Sequence, residues 1–200
     1  MRSGGYLMSV EFDSHNAVIT PEGVFVIGTY DESGKPNAMT AAWGTQSDFG
    51  EITIYLSKHK TTSNIEKTGE FTVAYGTVDT VTICDYFGIE SGNNVDKIAK
   101  AGCTVKKAPN VNAPIIDGFP LVLECKCRSW DPSTGILVGE IVAQQVDESI
   151  LTDGHVDLGK LRPIIYDTGM QTYRVIGEVV AKAYSEGLKI KKSGDGKWDN

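Results

Sequence analysis

Apolar residues in this chain fall at alternate positions or in short β-branched runs, seldom at the three-to-four spacing of a helical protein. Val24-Phe25-Val26-Ile27, Ile52 to Leu56, Phe71-Thr72-Val73-Ala74-Tyr75, Leu121 to Cys127 and Ile136 to Val146 are such runs, each bounded by turn residues, and they predict strands. Asp31-Glu32-Ser33-Gly34-Lys35-Pro36 supplies a glycine for positive φ and a proline with fixed φ, so it predicts the turn of an early hairpin. Asp131-Pro132-Ser133-Thr134-Gly135 separates the two longest runs and predicts a second hairpin. The pattern is that of an antiparallel sheet or barrel with mostly local connections. Short helices interrupt it. Ser63 to Thr68 carries a capping-box spacing, Ser63 with Glu66, and stops at Gly69. A second helical patch runs from about Thr80 to Phe87, and a third from Asn93 to Ala101 puts Val95, Ile98 and Ala99 on one side with Gly102 as its stop. The last two are expected outside the barrel. Residues 189–200 are polar and glycine-containing, so one domain over residues 1–188 followed by a polar tail is expected.

Composition narrows the function classes. Two hundred residues suffice for one domain with a sizeable core, and 40% hydrophobic against 22% charged residues, with 22 glycines and 7 prolines, is the profile of a loop-rich globular chain. The net charge of −7 disfavours nucleic acid, which requires a broad basic surface. Met1 to Met8 lacks the apolar centre of a signal peptide, and no uncharged run approaches membrane-spanning length, so a cytoplasmic protein without a membrane partner is expected. Cys84, Cys103, Cys125 and Cys127 lie in or beside apolar segments and read as reduced, buried thiols. Cys125 and Cys127 share a strand face about 7 Å apart, too far for an easy bridge. No cysteine and histidine set makes a zinc site, and Cys103 beside Gly102 could be a redox thiol or, as the better reading, inert core. His15, His59 and His155 are isolated, and there is no nucleophile elbow or phosphate-loop glycine pattern to support a hydrolase or a triphosphatase.

The informative stretch is Asn37-Ala38-Met39-Thr40-Ala41-Ala42-Trp43, followed by Ile52 to Leu56 and then Ser57-Lys58-His59-Lys60-Thr61-Thr62-Ser63-Asn64-Ile65. Small residues and a tryptophan end one strand, a second strand alternates, and a basic, hydroxyl-rich turn opens a helix whose first N–H groups are free to hold a phosphate. A flat aromatic ring could lie on the first part and its anionic tail on the last, as in half of a flavin pocket. The competing reading makes Met39, Ala41 and Trp43 ordinary barrel core and Thr61 to Ser63 simple helix caps.

These residues, with Gly69-Glu70-Phe71, Ser91-Gly92-Asn93-Asn94-Val95-Asp96-Lys97 and Tyr173-Arg174-Val175-Ile176-Gly177-Glu178, together resemble the flavin reductase-like family, particularly its flavoredoxin branch, over about Val18 to Glu178. The resemblance implies a mainly β fold, an FMN-binding split β-barrel of Greek-key character with short peripheral helices, dimerising with FMN near the subunit interface. It implies an oxidoreductase that takes electrons from a reduced nicotinamide, NAD(P)H, or from a redox protein, and passes them through FMN to an acceptor. Carried over by position, Asn37, Met39, Thr40, Ala41, Ala42 and Trp43 line the isoalloxazine, with the backbone of Met39 to Ala42 on its polar edge. Ser57, Lys58, His59, Thr61 and Thr62 hold the phosphate, and Lys97 points back as a second cation, against the plainer reading of an exposed helix lysine. Relatives often carry an arginine in the basic turn, where this chain offers Lys58, His59 and Lys60, and a histidine on the late hairpin, where it has Ser133-Thr134-Gly135. No general acid or base is named, because the cofactor carries the chemistry. Two rivals stay open: an electron-carrier flavoprotein with no nicotinamide site, and a non-catalytic barrel kept as a binding module.

Overall fold

The computed structural model describes residues 10, 11, 13 and 17–193. His15, Met1 to Met8 and most of the polar tail, for which the sequence also carries expectations, lie outside them. In chain order the elements are β1 (Glu22–Gly23), β2 (Phe25–Tyr30), β3 (Pro36–Ala41), β4 (Gly44–Asp48), β5 (Glu51–Tyr55), α1 (Lys60–Thr68), β6 (Glu70–Tyr75), α2 (Val81–Ile89), α3 (Lys97–Lys100), β7 (Val105–Lys107), β8 (Pro114–Ile116), β9 (Leu121–Asp131), β10 (Ile136–Val146), β11 (Leu151–Thr152), β12 (His155–Val156), α4 (Leu158–Leu161), β13 (Ile164–Asp167), β14 (Thr172–Val175) and α5 (Leu188–Ser193).

Seven strands form one antiparallel sheet in the order β3-β2-β6-β9-β10-β5-β4. Both predicted hairpins are present, β2 with β3 and β9 with β10, and Gly34 and Gly135 take the positive φ their turns require. β3 and β4 occupy opposite margins of this sheet, yet only Ala42 and Trp43 lie between them in the chain. So short a link spans at most about 11 Å, so the sheet must curl until its margins meet at that corner. This is the geometry of a split barrel.

The central strands bury both faces, which is why their sequences read as continuous apolar runs. Phe25 and Ile27 of β2 join Ile52, Ile54, Phe71, Val73, Leu123, Cys125 and Leu137 inside the barrel. Val24 and Val26 face the other way, into a second core with Cys84 and Phe87 of α2 and Ala108, Ala113, Ile115 and Phe119 of the 105–119 segment. Helix α1 packs against β2 and β3 and inserts Ile65 into the barrel core. None of the described helices is long and apolar enough to cross a membrane.

Three expectations are corrected. Helix α1 begins a turn earlier than the Ser63–Glu66 spacing suggested: His59 is its N-cap, and the Thr62 hydroxyl accepts from the His59 N–H (2.9 Å) while donating to the His59 carbonyl. Gly69 does end it, in the left-handed region. The third helical patch shrinks to the single turn α3, capped by Asp96, because Asn93 and Asn94 are taken into the preceding turn. Strand β4 was not anticipated, since Gly44-Thr45-Gln46-Ser47-Asp48 has no apolar residue; pairing with β5 alone holds it at the margin.

Candidate functional site

The corner where the margins meet carries the residues singled out in the sequence. Trp43 sits in the link, 56% exposed, and its ring lies 5.3 Å from that of Tyr55 at the end of β5. The Tyr55 N–H donates to the Trp43 carbonyl (2.7 Å), which locks link to strand, and the Trp43 indole N–H donates to Glu22 (3.1 Å). Trp43 is therefore not barrel core. It is a held, solvent-facing aromatic surface with Tyr55, which is 46% exposed. Gly135 of the late hairpin packs beneath: a Cβ there would stand 2.7 Å from the Tyr55 ring, and its carbonyl accepts from the Leu56 N–H. The Ser133-Thr134-Gly135 turn thus adjoins the site through backbone and shape.

Along β3 the side chains divide between the two cores. Met39 and Ala41 pack into the barrel, Ala38 into the outer core, and the Thr40 hydroxyl donates to the Cys84 carbonyl of α2 (2.6 Å). What Met39 to Ala42 could offer a ligand at the corner is backbone, since β3 is a marginal strand paired on one side only. Ala42 is half-buried beside Trp43. Asn37 does not face this surface: it is buried, and its amide donates to the Thr61 hydroxyl (2.8 Å).

Immediately past Tyr55 and Leu56 comes the turn Ser57-Lys58-His59, exposed at all three positions. From Tyr55 to His59 is at most about 14 Å of chain, so an aromatic surface and an anion-attracting pole lie side by side. The structure separates the three basic residues. Lys60 reaches the Asp31 carboxylate (3.9 Å), the His59 ring meets the Ser57 hydroxyl (3.2 Å), and Lys58 has no ion-pair partner among the described residues. Helix α1 adds the positive end of its dipole and first-turn N–H groups at Lys60 and Thr61 that have no acceptor within the helix. The hydroxyls of Thr61 and Thr62 contribute differently from the sequence expectation. Both residues are buried, Thr61 at 1% exposure, and their hydroxyls are engaged with Asn37 and His59.

Lys97 opens the single turn α3. The plainer reading of an exposed lysine is overturned: it is 5% exposed, with its ammonium donating to the Phe87 carbonyl at the end of α2 (2.9 Å) and 5.8 Å from the Phe87 ring centre. Burial lowers its pKa to about 8. The four thiols are unbridged, Cys84 and Cys125 are buried, and burial pushes them up to about 11 and about 12, which suits inert core rather than nucleophiles. Among the described residues no cluster could hold a metal ion. Tyr55, Glu22 and Gly135 were missed as site residues. Tyr55 was legible as the outward end of an alternating strand, whereas nothing local marks Glu22.

The family model for a flavin reductase like domain matches residues 18–173, and the chain belongs to the flavin reductase-like family. Among solved structures it is similar to the flavoredoxin of Desulfovibrio vulgaris (Miyazaki F), at 34% identity and a TM-score of 0.83 over 91% of this chain and 100% of that one. The flavoredoxin of Methanosarcina acetivorans follows at 27% identity and a TM-score of 0.81, over 90% and 97% of the two chains. The fold also matches that of nitrilotriacetate monooxygenase component B from Bacillus cereus, at 17% identity and a TM-score of 0.76 over 90% and 100%. No curated protein matches.

Proposed function

We propose that the protein is an FMN-dependent oxidoreductase of the flavoredoxin type, with the isoalloxazine against Trp43 and Tyr55 and the phosphate at the Ser57-Lys58-His59 turn. One observation carries this reading: an exposed, hydrogen-bonded tryptophan–tyrosine pair adjoins an exposed turn whose Lys58 charge is unspent among the described residues and which opens onto a helix N-terminus. A flat ring bearing an anionic tail matches both halves, and the family and its flavoredoxin relatives support the choice of flavin. When bound, FMN supplies a carrier that takes two electrons and releases them singly or as a pair. The chain's residues bind and tune it. Trp43 and Tyr55 cover a ring face, the backbone of Met39 to Ala42 supplies donors and acceptors to its polar edge, and Lys58 with the α1 dipole neutralises the phosphate.

The donor is a reduced nicotinamide or a redox protein. Mixing the FMN-loaded protein anaerobically with NADH or NADPH decides between them: rapid bleaching of the flavin supports a reductase, and a yellow protein inert to both supports an electron carrier. A colourless chain that FMN does not restore overturns the flavin reading and leaves a binding module.

The same reading includes a homodimer. Beyond β14 the chain presents Ile176, Val179, Val180 and Tyr184 to solvent, Val179 and Val180 at 94% and 96% exposure and Tyr184 wholly so. Isolated domains seldom leave so apolar an arm uncovered, and a second copy would cover it.

A further inference from the structure

Asn37 is a buried polar residue that touches neither the aromatic surface nor the basic turn, although it stands in the stretch that builds the site. It pairs with Thr29 across the β2–β3 hairpin. Each of the two is tied to helix α1, Asn37 by its amide to the Thr61 hydroxyl (2.8 Å) and Thr29 by its hydroxyl to the Asn64 amide (2.9 Å). Thr61 and Asn64 are three apart, one helical turn, and so match a single cross-strand pair. The first turn of the helix is thereby pinned to the very strand that runs on into Met39–Trp43.

Gly92 lies against the other arm of the same carboxamide. A Cβ at position 92 would stand 2.0 Å from the Asn37 Oδ1, closer than any real contact, and 3.4 Å from the Lys60 side chain. A Cβ at 92 would press on the Asn37 carboxamide, whose other arm holds Thr61. Glycine at 92 and asparagine at 37 therefore form one unit.

We infer that Asn37, kept in place by Gly92, is a positioning residue that fixes the start of α1 relative to the aromatic surface, and that it thereby selects a phosphorylated flavin over an unphosphorylated one. The inference rests on the FMN reading above. A ring and a phosphate joined by a chain of fixed length can engage both poles only if the poles keep their spacing. Releasing the tether lets the helix start drift, so the phosphate contacts weaken while the ring contacts stay.

Affinities of the flavin-free protein for FMN and for riboflavin, read by quenching of flavin fluorescence, test this. Asn37→Ala, Thr61→Val and Gly92→Ala should each lower the FMN-to-riboflavin affinity ratio about tenfold, the scale of one lost bond to a charged group. Thr61→Ser keeps the hydroxyl and should keep the ratio. The double variant of Asn37→Ala with Thr61→Val should be no worse than either alone. Should the buried Asn37→Ala variant fail to fold, Gly92→Ala disturbs the same carboxamide from the surface and stands in for it. An unchanged ratio in folded Gly92→Ala or Asn37→Ala, or losses that add in the double variant, overturns the positioning role while leaving the site. Wild-type protein that binds FMN no better than riboflavin overturns the phosphate site itself, and this inference with it.

Discussion

Lys58 differs from Lys60 in what its charge already meets. Lys60 has Asp31, whereas Lys58 has no ion-pair partner among the described residues, so Lys58→Ala should raise the FMN dissociation constant about tenfold and leave riboflavin within twofold. Lys60→Ala should cost less, and both effects should shrink as salt rises. Titration of the flavin-free variants reads all three. Lys97 invites a different measurement. Burial lowers its pKa from 10.5 to about 8, so between those values the unfolded chain holds the proton more fully than the native one. Stability must then rise with pH across that window, and the buried charge costs most below about pH 8. The buried thiols act oppositely: their raised values mean that the stability they contribute is present below about pH 9 and is lost towards pH 11 and 12. Denaturant unfolding of wild type and Lys97→Met from pH 7 to 10 isolates the lysine, and the wild type should gain on the variant as pH rises. A constant difference would show that Lys97 keeps its proton throughout.

Among the elements, the late hairpin should be the most sensitive to a single methyl. Gly135 has φ of 78° and faces the Tyr55 ring and the Leu56 carbonyl at distances no Cβ tolerates, so Gly135→Ala should cost about 1–3 kcal/mol in thermal or denaturant unfolding. It should also displace Tyr55 and weaken FMN and riboflavin alike, unlike the loss of Lys58. This hairpin was legible beforehand because its turn chemistry is local: aspartate, proline and glycine dictate a bend wherever they stand. The start of α1 was not, because Ser63 with Glu66 is a spacing that occurs by chance inside helices, and here the Glu66 carboxylate serves the Trp130 indole instead. Strand β4 left no trace, since a polar marginal strand owes its existence to its neighbour rather than to its own residues. At the candidate site, the order of strand end, basic turn and helix was readable. That Thr61 and Thr62 turn inward was not, because what packs against the first turn of the helix sets the direction of its side chains.

At the scale of the whole molecule, the apolar arm after β14 separates a monomer from an assembly. Ending the chain after Gly177 removes Val179, Val180 and Tyr184 without touching either core. Light scattering coupled to size exclusion should then show a dimer for the full chain and a monomer for the shortened one, with the β-sheet circular dichroism retained. A shortened chain that remains dimeric would move the interface elsewhere on the barrel.

The link of Ala42 and Trp43 has a mechanical consequence. Acting as a clasp, it ties the first and last ribbons of the sheet together, so neither rim can fray without dragging the other. Amide protons of β3 and of β4, at opposite ends of the strand order, should exchange with one common opening free energy. Whatever settles on the tryptophan then bolts the clasp shut, raising that energy for both rims at once.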